Sequence, residues 1–157
     1  MYDWLLFFHV LAAFALVSAV VVFSVLSVAG WRTDRPSAAV SLFRLSKIAA
    51  PLIIAGSLLT LVLGIWLAIY LDGYQVWDGW ILASIAFWAV ATVAGQQSGR
   101  DYIRARQLAT RLVDEGKDEP SGELRALLQS RHGLILQLIS YAAVLVVLIL
   151  MIYKPGA

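Results

Sequence analysis

The sequence predicts an all-α polytopic membrane protein: a four-transmembrane-helix bundle with a cytoplasmic helical hairpin between helices 3 and 4. Three observations carry the prediction. Hydrophobic residues make up 61% of the 157, against about half in soluble domains. Four mostly apolar stretches, near 4–28, 48–71, 80–98 and 134–153, approach the ~20 residues that cross a hydrocarbon layer. The cationic side chains collect in alternate connections, as a chain sorted by membrane orientation requires.

The first span opens behind Met1, Tyr2 and Asp3, a leader with no Lys or Arg. Its apolar run exceeds the 7–15 residues of a secretory signal core, so it is expected to stay in the mature protein. In "WRTDRPSAAV", Pro36 suits the first turn of a helix that runs past Lys47 into the bilayer. Pro51 lies inside that helix and should bend it, because it removes a backbone hydrogen bond. Gly56, Thr60 and Gly64 repeat every four residues as a small-residue packing stripe, for contact within the bundle or with another copy. The third helix should continue about four turns beyond the bilayer, since Tyr102, Ala105, Ala109, Leu112 and Val113 keep helical spacing among arginines. Gly116 stops it, and Pro120 with Ser121 restarts a helix that runs straight into the fourth span, closing a hairpin over 99–132. Its pairs, such as Arg111 with Glu115, suit a solvated surface, a docking face or anionic headgroups.

Arg32, Arg35, Arg44 and Lys47 precede the second span, and Arg100, Arg104, Arg106, Arg111, Lys117, Arg125 and Arg131 lie between the third and fourth, so 11 of the 12 Lys and Arg fall on one side. The positive-inside bias places that side in the cytoplasm and both termini outside. Tyr2, Trp4, Tyr70, Tyr74, Trp77, Trp80 and Tyr153 mark the outer boundary, and Trp31 and Tyr102 the inner one.

Within this frame His9 stands out in "LLFFHVLAAF". It lies five residues beyond Trp4, roughly 8 Å below the outer interface, and an intramembrane ionisable group is by default a functional hypothesis. Leu5, Ala12, Ala13 and Leu16 share its face, and the alanines leave space for a planar cofactor bound to the ring or for another helix. Ser84, at the same depth as Trp66, Ala68, Trp80 and Val147, or a backbone carbonyl, offers the ring a hydrogen bond without any ligand. His132 lies a bilayer thickness away, near 30 Å, so no bis-histidine site forms within one subunit. Gln137 and Tyr141, with Ser57, Thr60 and Thr92, offer interhelical hydrogen bonds.

No carboxylate lies deep in a span, which argues against a proton relay built on buried acids. The chain has no cysteine, which removes thiolate metal sites, cysteine nucleophiles and disulfides. No phosphate loop, G-x-S-x-G or H-E-x-x-H occurs, and no basic patch remains for nucleic acid once topology is accounted for.

"YDWLLFFHVLAAF", "FRLSKIAAPLIIAGSLLTLVLGIWL" and "VWDGWI" together resemble uncharacterised bacterial four-helix integral membrane proteins, distantly similar to HemJ-type protoporphyrinogen oxidases and copper-resistance CopD-like proteins. The resemblance covers about 100 residues, and it implies the bacterial cytoplasmic (inner) membrane. It implies His9 as axial ligand of haem b, with Ala12, Ala13 and Ser84 around it. Arg44, Lys47, Pro51, Gly64 and Trp66 follow the family's second helix. The chain departs at Phe14–Ser18, where a Trp-x-Gly-like segment is expected, and at 80–99, which contains no lysine. Three functions stay open: a haem- or porphyrin-associated membrane protein, a non-enzymatic subunit of a larger membrane complex or homo-oligomer, and a small transporter element.

Overall fold

The computed structural model describes residues 2–70 and 75–155. Leu71 and Tyr74, assigned above to the end of the second span and the outer boundary, lie outside the described residues. Five helices follow in order: α1 Tyr2–Trp31, α2 Pro36–Tyr70, α3 Gly79–Asp114, α4 Gly122–Leu128 and α5 Arg131–Tyr153. No strand occurs among the described residues. Four helical stretches are long and apolar enough to cross a membrane: α1, α2, α3 and the α4–α5 stretch Gly122–Tyr153.

Neighbours in sequence pack as antiparallel neighbours in space. The closest pairs are α1 with α2 and α3 with α5, and α2 joins the two pairs through α3. Side chains close the ring between α1 and α5: the Ser24 and Tyr141 hydroxyls meet at 2.7 Å, and Gln137 Nε2 donates to Ser27 Oγ at 3.3 Å. Between α2 and α3, Trp88 Nε1 donates to Ser57 Oγ at 2.9 Å. Lipid cannot satisfy such groups, so their pairing fixes the rotation of each helix.

The helices outrun the predicted spans at one end, which we call the hairpin end. α2 begins at Pro36 and α3 runs on to Asp114, as the spacing foretold. There Ala39, Phe43, Ala105, Ala109 and Leu124 form a buried cluster. The alanines let α2 and α3 approach closely, and α4 drops Leu124 into the resulting notch. Gly116, with φ of 70°, ends α3 in a left-handed turn, and Lys117 N donates to Leu112 O at 2.9 Å, the Schellman bond that glycine permits.

The fourth element departs from expectation. It is not one helix from Ser121 into the membrane, because Gln129 and Ser130 interrupt it. Gln129 Nε2 donates to Trp31 O at 2.9 Å, capping the end of α1. Ser130 Oγ donates to Asp101 Oδ2 at 2.8 Å and accepts from Gly133 N at 3.2 Å, starting α5 afresh. Both partners outcompete a continued helical ladder by satisfying orphan groups at helix ends. α2 continues through Pro51.

The start of α2 is held by the hairpin. Asp118 accepts from Ser37 N and Ser37 Oγ, each at 2.8 Å. These bonds, the backbone one first, with Arg35 nearby, hold the Asp118 carboxyl below its ordinary range. A carboxylate lowered by folding stabilises the fold above its unfolded value, about pH 4, and loses that contribution as pH falls through the lowered folded value. Wild type should therefore be more stable than Asp118→Ala at neutral pH, with the difference vanishing under acid. Denaturation of both proteins across the acid range checks this; a pH-independent gap contradicts it.

Candidate functional site

Small residues set the α1–α2 contact, and that contact sets the surroundings of His9. A Cβ on Gly56 would lie 3.0 Å from Leu16 N and 3.2 Å from Leu16 Cα, so the backbones touch there. Two turns along α2, a Cβ on Gly64 would lie 3.0 Å from His9 Cε1 and 3.5 Å from its Nδ1, with the Met151 methyl at 3.9 Å. The imidazole therefore lies between α1, α2 and α5, in the space that glycine leaves. The Thr60 backbone lies against the ring, whose access to it depends on the missing side chain at Gly64.

Of the residues predicted to surround His9, Leu5 and Ala12 are buried, and Ala13 and Leu16 are half-buried. Ser84 is buried but does not serve the ring: its hydroxyl donates to Trp80 O at 2.7 Å on its own helix. Trp66 turns outward. Gly56 and Gly64 of the stripe pack inside the subunit, against Leu16 and His9 respectively. Thr92 Oγ1 likewise donates to its own helix, to Trp88 O. His132 and Lys47 are exposed, and Arg111 pairs with Glu115 at 2.9 Å.

Two buried polar atoms at this place have no hydrogen-bond partner among the described residues: His9 Nδ1 and Thr60 Oγ1. An orphaned imidazole nitrogen invites a ligand, and haem is the group the sequence resemblance implies. Axial ligation needs a ring nitrogen facing a slot that admits the macrocycle. Here Nδ1 is enclosed, Cε1 presses on α2 at Gly64, and the Met151 methyl closes in from α5. Nδ1 is therefore closed to a macrocycle on these sides. No group of three or more His, Cys, Asp or Glu suited to a metal ion occurs among the described residues.

A second feature is not marked by any residue pattern in the sequence. On the outer side of the α1–α2 seam runs an apolar groove of about 560 Å³. Ala12, Ala15, Ala55 and Gly56 floor it, and Trp4, Trp66 and Tyr70 rim it toward the end that carries the termini. His9 and Thr60 are not part of its lining. From Trp4 to Ala15 it extends about 16 Å along α1, half a hydrocarbon layer. Small residues alternate there with Trp and Phe, but a uniformly apolar helix does not say which face is grooved.

The groove and the polar pairs contain no nucleophile with a base and no paired acids. Elsewhere the titratable groups gather at the hairpin, where Lys117 and Arg111 hold the exposed Glu115 carboxyl below its ordinary range. No curated protein matches the chain, and no solved structure does. These comparisons lend no support to the HemJ-type or CopD-like similarity. The model of a family described as "Predicted integral membrane protein (DUF2269)" matches residues 3–155.

Proposed function

The chain belongs to that family of predicted integral membrane proteins, and on this premise we propose that it is a non-enzymatic subunit of a larger membrane complex. Its partner is an apolar transmembrane helix that lies in the α1–α2 groove. The observation that carries this reading is the groove itself. In lipid, helices associate through close packing rather than a hydrophobic drive, so small-residue floors favour a helix over flexible acyl chains. Several polar groups inside the bundle are spent on helix-to-helix bonds, which supports a scaffold rather than a transport path.

The accompanying orientation follows the positive-inside bias: hairpin in the cytoplasm of a bacterium, both termini outside, groove in the outer leaflet of the inner membrane. The experiment fills the groove. Ala55 is exposed on its floor, so Ala55→Trp should leave thermal stability unchanged while dissociating the complex recovered in mild detergent, read as a shift in native mass. Recovery of the wild-type chain only as free protein would remove the proposal.

The competing reading is the porphyrin-associated role implied by the resemblance, with His9 as its candidate ligand. An absorption spectrum separates the two. Protein purified from haem-replete cells should show no Soret band, and a band lost in His9→Ala would favour the porphyrin reading.

A further inference from the structure

We infer that the hairpin end carries a belt of cations that binds anionic phospholipid headgroups of the surrounding bilayer. Packing brings the belt to one level. Phe43 and Tyr102 meet ring to ring at 4.7 Å, tying α2 to α3. Ser130 Oγ and Asp101 Oδ2 meet at 2.8 Å, tying α3 to the start of α5. Each tie has an arginine next to it in sequence: Arg44 beside Phe43, Arg100 beside Asp101 and Arg131 beside Ser130. Lys47 follows Arg44 by one turn. All four cations are exposed, and none takes part in an ion pair among the described residues.

The belt is cationic because its acids are elsewhere. Asp101, the acid at this level, is occupied by Ser130 and Arg104. Asp114, Glu115, Asp118, Glu119 and Glu123 lie farther out, around the tip of the hairpin. The belt's height fits headgroup phosphates. Large apolar side chains stand exposed on the bilayer side of it, within about 10 Å along the helices: Ile48 (66%), Val93 (54%) and Ile135 (56%). These need hydrocarbon, and charges stacked beyond them reach the phosphate layer, with Lys47 extending its stem toward it. A cation near an anionic surface gains about 1 kcal/mol, a factor of about five in lipid preference.

The test uses the full chain in vesicles of equal phosphatidylglycerol and phosphatidylcholine, with the lipid that stays bound after mild extraction measured by mass spectrometry. Wild type should retain phosphatidylglycerol in excess. Arg44→Gln, Lys47→Gln, Arg100→Gln and Arg131→Gln together should abolish the excess. Arg111→Gln, Lys117→Gln and Arg125→Gln at the hairpin should preserve it. Equal retention of both lipids by wild type, or an equal loss in the two variants, would overturn the belt.

If the fourfold variant loses its helical circular dichroism, wild type alone decides: raising salt to about 1 M, where screening acts within about 3 Å, should collapse the excess, and an unchanged excess overturns it. Thermal stability in phosphatidylcholine vesicles with inorganic phosphate separates the source. No stabilisation is expected there, and phosphate acting as well as phosphatidylglycerol would assign the site to a free anion instead.

Discussion

Gly56→Ala is expected to destabilise the folded bundle by about 1–3 kcal/mol, the usual cost of overpacking a filled contact, and Gly56→Leu is expected to prevent folding. The new Cβ would stand 3.0 Å from Leu16 N and 3.2 Å from Leu16 Cα. Backbone atoms cannot rotate out of the way, so α1 and α2 must separate, and with them the seam that floors the groove. Gly64→Ala meets His9 at the same 3.0 Å, but an imidazole can swing aside, so its cost should be smaller and His9→Ala should reduce it further. Gly99→Ala meets nothing within 4 Å and serves as the control. Unfolding in mixed micelles, followed by circular dichroism, measures the series. Gly56→Ala as stable as Gly99→Ala would mean that α1 and α2 do not cross at Leu16.

The second large effect lies at the opposite end and has a different physical origin. Leu124 is fully enclosed, at 0% exposure, by Ala39, Phe43, Ala105 and Ala109. Removing a buried leucine side chain costs about 2–5 kcal/mol through lost transfer energy and the cavity left behind. Helices meeting in lipid gain little from burying apolar surface, because lipid is equally apolar. The hairpin projects into water, where burial carries its full weight. Leu124→Ala should therefore free α4 and expose the 115–121 connection to protease while α1, α2 and α5 keep their helices. Hydrogen exchange over 122–128 would report the same opening. Protection unchanged in Leu124→Ala would show that α4 is held by its end contacts, Gln129 on Trp31 and Ser121 on Asp34, rather than by its leucine.

What the sequence made legible follows from where the physics is one-dimensional. Crossing hydrocarbon demands about 20 apolar residues whatever their partners, so the four crossings and the extension of α3 could be read directly. Gly116 and Ser121 were legible because caps are local. The break at Gln129 and Ser130 was not, since the groups that make it, Trp31 O for Gln129 and the Asp101 carboxylate for Ser130, lie 98 and 29 residues away.

Rotation about each helix axis was hidden for a related reason. α1, α2 and α5 are apolar on nearly every face, so no periodicity marks the packed side. Of the two partners the sequence offers His9, Ser84 or a backbone carbonyl, Ser84 turns to its own helix, because a short hydroxyl finds that carbonyl more readily. The alanines Ala12 and Ala13 suit either a cofactor or the close approach of another helix, and the sequence does not choose between them. Ala12 is buried in the α1–α2 seam and lines a groove whose lining does not include His9.

The most direct test of the account is the sidedness of its two ends, and a chain without cysteine permits it cleanly. Trp77→Cys, in the α2–α3 connection, should react with a membrane-impermeant thiol reagent in intact cells. Lys117→Cys, in the hairpin, should react only after the cells are permeabilised. Labelling of both positions from the same side would contradict four crossings arranged as two antiparallel pairs, and reversed labelling would contradict the cytoplasmic hairpin.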